Sequence, residues 1–114
     1  MKTKLEALID FLGISEEEAA EEIEESRYDD NEFEYDPETY LVLTDREADE
    51  KFKEKIEDDI NNIVFADIPK QYQSYFDAES YIKDVELSDG RGPTISSYDG
   101  QEHEESGYFI YRIG

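Results

Sequence analysis

Ala48, Phe52, Ile56, Ile60, Ile63 and Val64 recur every three or four residues, so a helix over residues 45–64 carries one continuous apolar face that must be covered. Thr44 with Glu47 has the spacing of a capping box, which fixes where that helix starts. The β-favouring run Tyr40-Leu41-Val42-Leu43 ends at the same joint, so a strand leads directly into the helix. Glu47/Lys51 and Asp49/Lys53 are expected as i,i+4 pairs on its outer face.

Two shorter helices are expected before this unit. Leu5, Leu8, Ile9 and Leu12 form an apolar stripe over residues 3–12, closed by Gly13. Ser15 and Glu18 open a second helix running to Glu25, whose apolar residues are Ala19, Ala20 and Ile23. Phe33 and Tyr35 alternate with Glu32, Glu34 and Asp36 as a short edge strand. After the long helix, Asp67-Ile68-Pro69 starts one or two short helices over residues 69–86, and Gly90-Arg91-Gly92-Pro93 breaks them. Thr94–Tyr98 and Tyr108–Ile113 are read as a β-hairpin around a polar loop, Asp99–Gly107. The fold expected is α+β: a small three-stranded, mainly antiparallel sheet, covered on one face by the long helix and preceded by an N-terminal helical pair. One domain spans 1–114, with the helical pair at 1–26 and the α+β core at 39–114.

Leu, Ile, Val and Phe together supply only 26 of 114 residues, close to the level at which chains stay unfolded. Nine tyrosines and six phenylalanines offset this, because each aromatic ring buries roughly 150–250 Å². The absence of cysteine removes disulfides, thiolate nucleophiles and cysteine-ligated metals. The N-terminal apolar stretch is interrupted by Glu6 and Asp10, and no run reaches the length of a membrane span, so a soluble, cytoplasmic protein is expected.

Catalytic chemistry finds no constellation. His103, the only histidine, sits among carboxylates in Gln101–Glu105 and reads as an ordinary solvated side chain. Ser96 and Ser97 have no second histidine to activate them. Asp29-Asp30-Asn31-Glu32 and Asp58-Asp59 lack the spacing of an EF-hand loop and read as cation-screened surface acids. Gly90–Pro93 precedes a β-rich run rather than a helix, so it reads as a turn and not a phosphate cradle. A protein that is not an enzyme and carries no cofactor or metal is expected.

The charge is where the sequence departs from what folding needs. Acidic residues number 33 against 11 basic ones, a net −22, so direct binding to nucleic acid or an anionic membrane is not expected. Residues 14–38 hold 13 acids and one base, and seven of the ten residues 16–25 are glutamate: Glu16, Glu17, Glu18, Glu21, Glu22, Glu24 and Glu25. Neighbours such as Glu17/Glu21 and Glu18/Glu22 repel one another on a helix by a few tenths of a kcal/mol each, so stability alone did not select them. Duplex DNA carries about nine charges over the ~15 Å length of a ten-residue helix, a comparable density. The expected binding surface for a basic partner is therefore these glutamates with Asp29, Asp30, Glu32, Glu34 and Asp36, and with Tyr28, Phe33 and Tyr35 as apolar anchors.

Residues Tyr40–Asp49, Gly90–Gly100 and Tyr108–Ile113, in a pattern of YLVLTD, GRG followed by SSYDG, and a terminal YFIYRI, resemble a family of small acidic proteins from bacteriophages, prophages and plasmids. The resemblance covers residues 39–60 and 89–114; Pro93 stands where the family commonly has a polar residue, and the acidic N-terminal segment lies outside it. It implies a mobile-element origin and action in the bacterial cytoplasm. Members of the family are mostly of unassigned function, so the resemblance implies origin more than mechanism; small acidic phage proteins include inhibitors of restriction enzymes and CRISPR effectors, and that origin, with the acidic segment, favours the expectation of anti-restriction or anti-CRISPR action by DNA mimicry. The alternative is a non-inhibitory phage accessory or regulatory protein working through protein–protein contacts, as a monomer or a homodimer.

Overall fold

A computed structural model describes residues 2–26 and 29–114, with side chains other than those of 63–65. The N-terminal helix α1 (Lys4–Leu12) begins in a Thr3/Glu6 capping box and ends at Gly13 in a left-handed cap. Helix α2 (Glu16–Glu22) is capped by the Ser15 hydroxyl, which accepts from the Glu18 N–H, and it stops three residues short of the expected end. Ile23–Glu25 is instead strand β1. A further helical turn would have added another repelling pair, Glu21/Glu25. The extended chain instead packs Ile23 against a core.

Strands β2 (Glu32–Tyr35) and β3 (Glu38–Leu43) follow, joined at Asp36-Pro37, whose peptide is cis. The long helix α3 (Asp45–Asp59) starts in the expected Thr44/Glu47 capping box. Its axis continues through a wide π turn at Ile60–Val64 and a last short turn, α4 (Phe65–Asp67). A 3₁₀ segment at Lys70–Tyr75 then leads to α5 (Ala78–Asp89), which Asp77 caps. A single turn, α6 (Gly92–Ile95), precedes the hairpin of β4 (His103–Glu105) and β5 (Tyr108–Arg112).

The sheet has five strands, not three, in the antiparallel order β1-β2-β3-β5-β4. The Phe33–Tyr35 strand lies inside the sheet and not at its edge, because β1 pairs outside it. Residues 94–98 form no strand: Pro93 opens a helical turn, and the Ser96 and Ser97 hydroxyls donate to the Arg112 and Ile113 carbonyls at 2.6 and 3.1 Å. Those serines bind the end of β5 by side chain, the local competition that draws Ser away from regular ladders. The true hairpin partner of β5 is the His103 segment, joined through Ser106-Gly107, both at positive φ as a two-residue type I′ turn requires.

Both faces of the sheet are covered, where one was expected. Leu41, Leu43, Tyr111 and the half-buried Phe109 pack with Ala48, Phe52, Ile56 and Ile60 of the α3 helix and with Ile82 and Ile95. Tyr40, Val42, Ile110 and Phe33 face the other way and pack under Leu8 of α1. The side chains of Ile63 and Val64 lie outside the described residues. The i,i+4 pairs expected on α3 give way to longer-range ones: Glu47 binds Lys4 of α1 at 2.7 Å, and Asp49 binds Arg91 at 2.9 Å.

Candidate functional site

The hairpin register gathers the acids of residues 16–36 into an edge. Glu24 of β1 stands directly opposite Glu34 of β2, on the same sheet face as Thr39. Helix α2 enters β1 without a loop, so Glu21 and Glu22 sit beside this pair, and Asp36 follows β2 at the turn. Together Glu21, Glu22, Glu24, Glu34 and Asp36 line a shallow recess of about 290 Å³. Like charges placed opposite each other in a ladder are destabilising. An edge strand gains from one or two charges that prevent pairing with another chain. That accounts for Glu24 and Glu25 but not for Glu21, Glu22, Glu34 and Asp36.

Glu16, Glu17 and Glu18 extend the acidic surface along α2, all exposed. The Tyr35 hydroxyl donates to Glu18 at 3.3 Å, pinning the helix to β2. Its own pKa is raised, first by burial and then by the negative charge of Glu18. Helix α2 is about 10 Å long and carries five glutamates, where duplex DNA of that length carries roughly six charges. The comparison survives the shorter helix.

Not every expected residue joins the edge. Phe33 is 2% exposed, held under α1 beside Tyr40 and Val42, and is a core residue rather than an anchor. The alternation that marked Phe33 as a strand residue also turned it inward. Asp29 accepts from the Asn31 N–H at 2.9 Å in a local turn before β2, and with Asn31 it borders a different recess beside Glu47, Glu50 and Glu54. Asp30 is exposed near that turn and Glu32 is half-buried at the start of β2, opposite Leu41. Tyr28 lies outside the described residues. Of the three aromatics expected as anchors, Tyr35 alone is described at the acidic surface, half-buried and committed to Glu18.

Counter-charge is placed elsewhere. Lys2 pairs with Asp10, Lys4 with Glu47, Arg46 with Glu50, and Arg112 with Glu38. Arg91, nearly buried, is held by Asp45, Asp49 and Glu102 at 2.9, 2.9 and 2.5 Å and lies 4.6 Å from the Phe109 ring centre. Burial works against its charge, but Glu102 and Asp45 outweigh that and raise its pKa above the ordinary arginine value. Among the described residues, none of Glu16, Glu17, Glu18, Glu21, Glu22, Glu24, Glu25, Glu34 or Asp36 takes part in an ion pair.

The Arg91 loop, expected as a plain turn, carries this buried arginine instead. Its signal was a lone base between two glycines in a strongly acidic chain. Gly92 is required there because a Cβ would lie 2.5 Å from the Gly100 carbonyl oxygen. His103, expected in a solvated loop, is a half-buried β4 residue whose ring lies 4.9 Å from that of Phe11. Among the described residues no group of histidine, aspartate and glutamate side chains is arranged to hold a metal ion, and no helix is long and apolar enough to cross a membrane. No protein-family model, no curated protein and no solved structure matches the chain.

Proposed function

We propose that the chain is an acidic inhibitor of phage origin that occupies the basic nucleic-acid groove of a bacterial defence protein, a restriction or CRISPR nuclease, by presenting the α2–β1–β2 edge in place of DNA. One observation carries this reading: the acids of that edge are exposed and without ionic partners among the described residues, while the ion pairs formed by Lys2, Lys4, Arg46, Arg91 and Arg112 all go to acids elsewhere. A surface left uncompensated at a cost to folding is poised for a counter-charge from outside. The protein itself would bind neither nucleic acid nor membrane, would act in the cytoplasm of the host, and would need no cofactor.

The test is competition. Purified restriction and CRISPR nucleases, each holding labelled DNA, are titrated with the protein and with a variant carrying Glu21→Gln, Glu24→Gln, Glu34→Gln and Asp36→Asn. The parent chain should displace DNA from at least one of them, in a manner weakened by salt, and the variant at least tenfold less well. Equal displacement by both, or a nucleic-acid site left open in the complex, would sink the proposal. A second reading, a non-inhibitory accessory or regulatory protein of the phage, is favoured by the exposed Tyr72 and Tyr75, which lie outside the acidic edge.

A further inference from the structure

The segment after α3 has the opposite character to the acidic edge. Between Ile60 and Ile82 no described side chain is buried, although Ile68, Tyr72, Tyr75, Phe76 and Tyr81 all fall there. Tyr72 is 53% and Tyr75 82% exposed, their rings 6.4 Å apart. Neither core includes a described residue from 61 to 75. The shape agrees: the radius of gyration is 16.8 Å in a molecule 58 Å long, against about 13 Å for a compact chain of this length. The helical run 45–67 and the returning α5 make an arm, and the arm's tip leaves Tyr72 and Tyr75 uncovered.

Charge identifies what covers them. Residues 60–76 contain one acid, Asp67, and one base, Lys70, so this stretch is neutral and the remaining 97 residues carry the whole −22. A cationic partner has no reason to choose the neutral tip over the acidic edge. A second copy of the chain is repelled by every strongly acidic face, and the tip offers it an apolar surface with no net charge. Tip-to-tip contact also holds the acidic sheet regions apart by more than the ~8 Å screening length at physiological salt. From the exposed tyrosines, the neutrality of 60–76 and the elongated shape, we infer that the arm tip is a self-association surface at which two copies of this chain meet around Tyr72 and Tyr75, as an isologous dimer.

This inference is independent of the acidic edge, and salt separates the two. Contacts between an acidic edge and a basic partner weaken with salt, whereas this dimer strengthens as repulsion between two −22 chains is screened. Sedimentation velocity over about 5–500 µM protein, at about 0.05 and 0.5 M NaCl, reads the mass directly. The expected result is a species of twice 13.3 kDa whose share grows with concentration and with salt. The variant Tyr72→Ser/Tyr75→Ser should dissociate at least tenfold more readily with unchanged far-UV circular dichroism, and Tyr75→Glu, which adds a like charge to both tips, should be monomeric. Since Tyr72 and Tyr75 are both solvent-exposed and belong to neither core, neither variant threatens the fold. A monomer under all conditions, a dimer indifferent to these substitutions, or a dimer weakened by salt would each overturn the inference. So would a monomer that binds phosphatidylcholine vesicles through the same tyrosines, which would assign the tip to a lipid surface.

Discussion

Tyr111 and Arg91 show how the α3-side core of this acidic chain treats polar groups. The Tyr111 hydroxyl is buried and makes no hydrogen bond of good geometry among the described residues, and burial, then the nearby Glu102 charge, pushes its pKa well above the ordinary tyrosine value. A buried donor left unsatisfied costs about 1–3 kcal/mol. Tyr111→Phe is therefore expected to raise stability by about 1 kcal/mol in urea titration; a loss of that size would reveal a partner for the hydroxyl. The sign with pH follows: a raised folded-state pKa keeps stability intact below pH ~10 and loses it above, so the phenylalanine variant should also withstand alkaline unfolding better. Arg91 is the converse, a buried charge fully engaged. Arg91→Met should cost about 3 kcal/mol, the low end for breaking a buried pair, because Asp45 and Asp49 retain contact with water. Lysine should recover only part of this, since one ammonium cannot reproduce the fork over Asp45, Asp49 and Glu102 together with the contact to Phe109.

At the scale of elements, what was legible had its cause within a few residues. The capping box at Thr44, the Gly13 cap and the apolar face through Phe52 and Ile60 are local rules, and the structure obeys them. Strands β1 and β4 were not legible, because Ile23-Glu24-Glu25 and His103-Glu104-Glu105 have poor β propensity and are extended by what they pair with. Residues 94–98 failed the other way, rich in β-formers but turned by Pro93 and by serine side chains bound to β5. The candidate site was legible as a density of charge along the chain. The pairing of Glu24 with Glu34 depends on strand register, and the burial of Phe33 on α1, and neither could be read locally. That α1 is an integral layer is testable by Leu8→Ala, expected to cost about 2–5 kcal/mol, in the same range as Phe52→Ala on the opposite face. A loss under about 1 kcal/mol for Leu8→Ala would make α1 a peripheral attachment.

Over the whole molecule, two electrostatic effects act on stability and salt tells them apart. Diffuse repulsion among the charges that give a net −22 has a range of roughly 30 Å at 0.01 M salt and about 10 Å at 0.1 M, in a molecule 58 Å long. Specific engagement works in the opposite sense. Burial opposes ionisation of Glu47, but hydrogen bonds from Lys4 and Thr44 hold its carboxyl below the usual range. The Ser80 hydroxyl and N–H do the same for Asp77, and the Gln101 N–H foremost for Asp99. A carboxyl with a lowered folded-state pKa lends stability that is complete above its unfolded value, near 4, and is lost as pH falls through the folded value. At neutral pH and low protein concentration, the melting temperature should therefore rise by about 5 °C or more between 0.01 and 0.3 M NaCl as repulsion is screened. In 0.3 M NaCl, with that repulsion suppressed, acidification below pH ~4 should then lower it, most directly through Glu47, whose bond to Lys4 joins α1 to α3. Calorimetric scans across salt at pH 7, and across pH 2–7 in 0.3 M NaCl, check both halves; a melting temperature indifferent to salt, or one that climbs steadily down to about pH 2, contradicts this account.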